Sequence, residues 1–113
     1  MHFLFTKMEG AGNDFILSTA SAEEFTPELI SRLCHRKFGI GADGIIFVQP
    51  LGEEGERAIL QMRYFNSDGS YAAMCGNGLR CSAAFAWKNG LSNGKKKIFG
   101  DDEGEYVEFE EVQ

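Results

Sequence analysis

Hydrophobic and polar residues alternate along parts of this chain in the way that β-strands require. The alternation is clearest in residues 58–65, where Leu60, Met62 and Tyr64 fall on one side and polar residues fall on the other, a pattern typical of a half-buried strand. Shorter apolar stretches predict further strands, and the polar, glycine-bearing residues 50–56 predict a loop. In chain order, the predicted strands are residues 3–8, 14–18, 45–49, 58–65, 95–99 and 106–109, the last two forming a hairpin.

Two other stretches have helical spacing. Thr26 and Pro27 mark the start of the first helix, because threonine is a good N-cap and proline suits the first helical position. In the second, residues 79–87, only Arg80 and Ser82 interrupt an apolar surface, and a helix that is apolar nearly all round is a buried one. We therefore predict an α+β fold in which a mixed β-sheet is wrapped around this buried central helix. The apolar stripe of the first, peripheral helix is Leu29, Ile30, Leu33 and Cys34.

Composition and charge restrict the class of protein and its partners. The 113 residues fit one domain, and 43% hydrophobic and 25% charged residues are ordinary for a globular protein. The net charge of −6 argues against nucleic acids and anionic membranes, which select basic patches, and no apolar run is long enough to span a bilayer. Three cysteines and no secretion signal predict a reducing, cytoplasmic location.

Cys75 is the candidate reactive residue because it stands where the second helix should begin. Gly76 and Gly78 flank Asn77 after it, so the backbone is free to turn its N–H groups outward. A helix N-terminus favours a thiolate by about 0.3–2 kcal/mol, which lowers the thiol pKa by about one unit or somewhat more. The same N–H groups suit a substrate carboxylate. The residues alone leave open that Cys75 is a small core residue, as most free cysteines are.

Other motifs predict no chemistry of their own. Residues 39–44 match the pattern G-x-G-x-x-G, but a helix precedes them and a strand follows, which is the wrong order for a dinucleotide site. Cys34 and Cys81 lack the close cysteine pair of a zinc site, so we predict that they pack in the interior and that the chain holds no metal. The basic residues 35–37 suit a helix C-terminus by charge, and we assign them no chemistry.

Asn13 and Asp14 follow a glycine-bearing turn between the first two predicted strands. At the rim of such a turn a side chain can reach a ligand. The residues alone also allow the simpler alternative that both side chains only close an Asx-type turn with the nearby backbone.

Three blocks of the sequence, in this order, together resemble the motifs of the diaminopimelate epimerase family. The first is Phe-Thr-Lys-Met-Glu-Gly-Ala-Gly-Asn-Asp-Phe at residues 5–15, and the second is Arg-Lys-Phe-Gly-Ile-Gly-Ala-Asp-Gly at residues 36–44. The third is Phe-Asn-Ser-Asp-Gly-Ser at residues 65–70, followed by Met-Cys-Gly-Asn-Gly-Leu-Arg-Cys at residues 74–81. The resemblance covers most of the chain and loosens after residue 93.

The resemblance implies one half of a two-domain fold and an isomerase activity. Residues 1–113 are expected to form a single domain similar to the N-terminal half of a diaminopimelate epimerase, about half the family's chain length, with the second half absent. Enzymes of that family interconvert LL- and meso-diaminopimelate in lysine and cell-wall precursor synthesis without pyridoxal phosphate or another cofactor. The implied partners are the diaminopimelate substrate and the missing C-terminal domain, and the resemblance also allows a homodimer.

The resemblance also implies which residues act. Two cysteines of the family face the α-carbon from opposite sides, one removing a proton while the other delivers one. Carried over to this sequence, Cys75 is one of the two, and Asn13, Asn66, Gly76 and Asn77 match substrate-binding positions. The second cysteine belongs to the missing half, so the isolated chain is expected to be inactive.

Some positions depart from the family pattern, and two other functions stay open. Glu9 stands where the family commonly has histidine, and Gly44 where some members have glutamine, so neither position is assigned a role. One alternative is a non-catalytic ligand-binding module of the same fold. The other is a different cysteine-pair racemase, such as a proline racemase relative. Those proteins have a motif similar to Cys-Gly-His-Gly, whereas residues 75–78 of this chain are Cys-Gly-Asn-Gly.

We expect Cys75 to be alkylated faster near pH 7 than Cys34 or Cys81, because only Cys75 stands at a glycine-flanked helix start. Peptide mass spectrometry after timed iodoacetamide treatment measures the three rates in one sample. Equal rates at all three thiols would contradict this expectation.

Overall fold

The computed structural model of the chain describes residues 2–73, 76–91, 96–100 and 106–109, of which the last two stretches are described by their backbone. The helices in these ranges are α1 (Pro27–Cys34) and α2 (Gly76–Lys88), with a short 3-10 helix at Ala22–Glu24. The strands are β1 (Thr6–Gly10), β2 (Asn13–Ser18), β3 (Gly44–Glu54), β4 (Arg57–Asn66), β5 (Tyr71–Ala72), β6 (Lys96–Gly100) and β7 (Tyr106–Phe109).

The described strands form one mixed sheet of seven. Its order is β1-β2-β3-β4-β6-β7, with β5 paired to the end of β4. The β2–β3 and β4–β6 pairs are parallel, and the other pairs are antiparallel. The predicted mixed sheet and the predicted final hairpin of β6 and β7 are therefore confirmed, while the turn at residues 101–105 lies outside the described residues.

Consecutive residues of the sheet face two different cores, which explains the continuous apolar run in β3. Ile46 and Val48 pack beneath α2, whereas Ile45 and Phe47 belong to the core on the side of α1. From α2, the buried residues of the first core are Cys81, Ala83, Phe85 and Ala86. From α1 and the segment before it, the second core takes Ala22, Phe25, Ile30 and Cys34. Both described cysteines are free and buried, as the sequence predicted.

The predicted start of α1 is confirmed in detail. Thr26 Oγ1 accepts a hydrogen bond from the N–H of Leu29 at 3.1 Å, and Pro27 occupies the first turn. The turn before β5 packs against this helix start, because a Cβ placed on Gly69 would lie 2.3 Å from the carbonyl oxygen of Pro27. Gly69 also has a φ of +89°, a conformation that glycine adopts without strain.

Two expectations differ from the structure. The apolar pattern placed Trp87 in the interior, but its side chain is 38% exposed, because the sheet covers α2 on one side and Trp87 lies on the other. Residues 50–56 were predicted as a loop, yet β3 continues to Glu54. There the ladder with β4 continues through a bulge between Pro50 and Gly52, and backbone hydrogen bonds maintain a strand without an apolar face.

Candidate active site

Strand register brings the starts of β2 and β3 and the end of β4 to one edge of the sheet. Phe15 pairs with Gly44 across the parallel β2–β3 pair, and Gly44 pairs with Asn66 across the antiparallel β3–β4 pair. Asn13 is the first residue of β2 and Asp43 directly precedes β3. Two of the predicted substrate-binding residues, Asn13 and Asn66, therefore lie at the same edge.

The first turn of α2 is hydrogen bonded to this edge. Asn77 Nδ2 donates to Asn13 Oδ1 at 2.8 Å, and both residues are half-buried. Gly10, which pairs with Asn13, permits this close approach because a Cβ there would lie 3.3 Å from Cys81 Sγ and 3.7 Å from the carbonyl oxygen of Asn77. Gly76, the first residue of α2, is exposed. Apart from its chain neighbours and the backbone of α2, no atom of the described residues lies within 4 Å of the position that its Cβ would take.

Asn66 lies at the same edge but closes its own turn. Its Nδ2 donates to Ser70 Oγ at 3.0 Å, and its carbonyl oxygen accepts from the N–H of Gly69 at 2.9 Å. These two bonds close a tight turn over residues 66–70. Cys75, the predicted acid and base, lies outside the described residues.

A cluster of charged side chains lies beside Asn13. Arg36 donates two hydrogen bonds to the carboxylate of Asp14, at 2.8 and 2.7 Å, and a third to Asp43 Oδ1 at 3.1 Å. Lys7 Nζ lies 3.0 Å from Asp14 Oδ2. The two carboxylates also accept from each other's backbone: the Asp14 N–H donates to Asp43 Oδ2 at 3.0 Å, and the Asp43 N–H donates to Asp14 Oδ1 at 3.1 Å.

These contacts overturn the simpler local reading of Asn13 and Asp14. Asp14 bonds to residues 22 and 29 positions away, and the Asn13 side chain bonds across 64 positions to Asn77. Their side chains therefore join separate elements of the fold instead of only closing the turn between β1 and β2.

The cluster shifts the pKa values of its own members. Hydrogen bonds from Arg36 and then Lys7 hold the pKa of the Asp14 carboxyl well below its usual range, although burial opposes this. Asp14 raises the pKa of the Arg36 guanidinium in turn. Burial raises the pKa of the Cys34 thiol to about 11, with the nearby Asp14 charge adding to the effect. Cys34 is consequently a thiol near neutral pH.

Sequence reasoning missed Arg36 and its partner Asp43. Residues 35–37 were assigned no chemistry and were expected to serve the helix C-terminus by charge. Instead α1 ends at Cys34, His35 Nδ1 accepts the backbone N–H groups of Lys37 and Phe38, and Arg36 joins the two carboxylates. The available signal was a pair of aspartates, each at the start of an apolar strand, with an arginine on the connection between them.

The departure at Gly44 has a steric cause. A Cβ there would lie 2.4 Å from Tyr64 Cε1 and 2.5 Å from the carbonyl oxygen of Phe65, so the close approach of β4 leaves no room for a side chain. A glutamine at this position is incompatible with the backbone of this chain. Glu9, the other departure, is exposed in β1.

The described residues contain neither a metal-holding group of side chains nor a membrane-spanning helix. Within that part of the chain, no group of three or more His, Cys, Asp or Glu side chains has an arrangement that would hold a metal ion. Neither α1 nor α2 is long and apolar enough to cross a membrane.

Comparison with known proteins identifies relatives over nearly the whole chain. Residues 5–110 match the sequence profile of the family described as Diaminopimelate epimerase. The diaminopimelate epimerase of Moorella thermoacetica is 50% identical over 99 residues, which cover 85% of this chain and 33% of that protein. Diaminopimelate epimerase 1 of a Nostoc species is 55% identical over 95 residues, covering 80% of this chain and 33% of that protein. The chain thus spans about a third of these relatives' length, not the half that the resemblance implied.

A solved structure supports the fold independently. The Bacillus anthracis phenazine biosynthesis protein of the PhzF family superposes on 94% of this chain with a TM-score of 0.59, using 33% of its own length. At 22% sequence identity this likeness concerns the fold alone.

The ion pairs of Asp14 predict a specific loss of stability in acid. The unfolded pKa of an aspartate is about 3.9, and the folded pKa of Asp14 lies below it. Its contribution is therefore complete above about pH 4 and is lost as the pH falls through the folded pKa. We expect Asp14→Asn to lower the unfolding free energy by about 1–2 kcal/mol at pH 7. Between pH 7 and acid, the unfolding free energy of this variant should then fall by less than that of the wild type.

Urea unfolding between pH 7 and pH 2 measures this difference. Glu56→Gln, at an exposed position in the turn between β3 and β4, is the matched control and should follow the wild type throughout. Parallel acid profiles for Asp14→Asn and the wild type would show that Asp14 does not carry the effect.

Proposed function

Because this chain belongs to the diaminopimelate epimerase family, we propose that it supplies one cysteine and part of the substrate site of an enzyme that interconverts LL- and meso-diaminopimelate. The family match over residues 5–110 supports the reaction. Because these relatives are diaminopimelate epimerases, they also favour this function over that of a proline racemase relative.

We assign Cys75 the exchange of the α-proton. It directly precedes Gly76, the first residue of the 13-residue helix α2. A thiolate at a helix N-terminus is stabilised by free N–H groups and by the helix dipole. An α-proton beside a carboxylate is very weakly acidic, and a positioned base contributes only about 10²–10⁴-fold to its removal. Donors aimed at the charge that develops on the carboxylate must supply the rest.

We assign those donors to the backbone N–H groups of Gly76 and Asn77 and to the side chains of Asn13 and Asn66. The observation that carries the proposal is the 2.8 Å hydrogen bond between Asn77 and Asn13, because it joins the start of β2 to the first turn of α2. Asn66 lies at the same sheet edge, and substrate would have to draw its amide away from Ser70. The described residues leave space beside Gly76 that a ligand could take.

The second acid or base must come from outside this chain in our proposal. Cys34 and Cys81 are both buried, and the pKa of Cys34 is raised to about 11, so neither is suited to exchange a proton with a substrate at neutral pH. We place the second cysteine in the remaining two thirds of the relatives' length and the activity in the reducing cytoplasm, with no cofactor involved.

A chimera tests the proposal. Residues 1–113 are joined to the remaining part of the Moorella thermoacetica relative, and incorporation of solvent deuterium at the α-carbon of diaminopimelate is followed by NMR. We expect exchange with the chimera and none with the isolated chain, because only the chimera holds two cysteines at the site. Cys75→Ser should lower the rate at least about 10²-fold.

Cys34→Ala is the matched control, because Cys34 is buried in the core on the α1 side of the sheet and not on the α2 side. The Cys34→Ala chimera should retain exchange. A folded chimera that binds diaminopimelate without exchanging its α-proton would favour the non-catalytic alternative. Exchange by the isolated chain, or full exchange by Cys75→Ser, would contradict the proposed chemistry.

A further inference from the structure

A continuous run of polar contacts leads from the charged cluster to the first turn of α2. Arg36 donates to Asp43 Oδ1 at 3.1 Å, and Asp43 Oδ2 accepts from Asn13 Nδ2 at 3.4 Å. Asn13 Oδ1 then accepts from Asn77 Nδ2 at 2.8 Å, and Asn77 Oδ1 accepts from the Arg80 guanidinium. Asn13 and Asn77, in the middle of this run, each bond through the side-chain amide to one side chain before them and one after them.

The Asp43 carboxylate determines which group donates and which accepts in every hydrogen bond of this run. An ionised carboxylate only accepts hydrogen bonds, while a side-chain amide has one accepting and one donating end. Asn13 must therefore turn its NH2 group towards Asp43, which leaves its oxygen facing Asn77. Asn77 must in turn present its NH2 group to Asn13 and its oxygen to Arg80, whose guanidinium only donates.

Asp43 is itself held in place from two sides. The backbone N–H of Asp14 donates to its Oδ2 at 3.0 Å, and Arg36 contacts its Oδ1. Because Arg36 also bonds twice to Asp14, the three groups form a closed ring. The 3.4 Å contact to Asn13 is the longest in the run, so its effect is on the orientation of the amide more than on stability.

We propose that Asp43 is a positioning residue: its carboxylate, held by Arg36, fixes the amide orientation of Asn13 and, through Asn13, of Asn77. This rests on the proposed function insofar as Asn13 and Asn77 bind substrate. The effect on the amides themselves does not depend on that function. Asp43 acts through both asparagines and does not itself touch the substrate.

The variant Asp43→Asn tests the proposal because it keeps the size of the side chain and leaves one accepting oxygen. If that oxygen faces Asn13 and the Asp14 N–H, the new NH2 group opposes Arg36. If it faces Arg36, the NH2 group opposes the amide donors of Asn13 and Asp14. Either arrangement sets a donor against a donor.

The first readout uses the 113-residue chain without substrate. We expect Asp43→Asn to move the side-chain NH2 resonances of Asn13 and Asn77 in 15N-edited NMR spectra and to speed exchange of the Asn13 NH2 protons. Glu23→Gln is the matched control, because it weakens an exposed ion pair, with Arg63 at 2.8 Å, by the same carboxylate-to-amide change. It should leave both resonances in place.

Unchanged Asn13 and Asn77 resonances in folded Asp43→Asn would overturn the proposal. If Asp43→Asn does not fold, Arg36→Met provides the test, because it removes the hydrogen bond from Arg36 to Asp43 but keeps the Asp43 carboxylate. It should move the same resonances by a smaller amount, and unchanged resonances in that variant would overturn the proposal equally.

The second readout uses the active chimera described above. We expect Asp43→Asn to raise the KM for diaminopimelate about tenfold with a smaller change in kcat and an unchanged pH profile, since the asparagines bind substrate and transfer no proton. An unchanged KM would contradict the link to substrate. An inactive wild-type chimera would count against the proposed function alone, because the NMR result stands separately.

Discussion

The double hydrogen bond between Arg36 and Asp14 is the contact on which the arrangement of the site depends. It joins the start of β2 to the connection that follows α1, and it lies where two parallel strands begin side by side. Parallel strands require a long crossover, here residues 19–43, and the cluster fixes the end of that crossover before β3. Arg36 is 59% exposed but Asp14 only 20% exposed, and their two parallel hydrogen bonds make this pair stronger than an ordinary surface ion pair.

The second requirement is the packing of α2 on the sheet. Small residues on the buried side of the helix, such as Ala83 and Ala86, allow it to lie against Phe15 and Val48. Glycine at position 10 allows the first turn to approach the start of β2. Because the helix is held by apolar contacts along its length, Asn77 meets Asn13 through a single well-formed hydrogen bond.

Much of this could be predicted from local signals, since periodicity and capping residues act over a few positions. The presence of strands before and after α1, the Thr26 cap and the burial of Cys34 and Cys81 were predicted correctly. The first strand was placed too early, at residues 3–8, whereas β1 runs from Thr6 to Gly10. The continuation of β3 to Glu54 was not, because an exposed ladder depends on backbone bonds that leave no apolar pattern. Trp87 was wrongly predicted to be buried for a related reason. The apolar pattern of a helix does not show which side of the helix another element will cover. Arg36 was missed because its partners lie 7 and 22 positions away in sequence, and periodicity carries no information about such contacts.

A double-mutant cycle between Arg36 and Asp14 tests the central claim most directly. The unfolding free energies of the wild type, Arg36→Met, Asp14→Asn and the double variant are measured at pH 7, together with the same cycle for Arg63 and Glu23. We predict a coupling of about 1 kcal/mol or more for Arg36 and Asp14, as expected of a charged pair with two parallel hydrogen bonds, and a smaller value for the reference pair. A coupling within about 0.3 kcal/mol of zero, as many surface pairs show, would contradict the account.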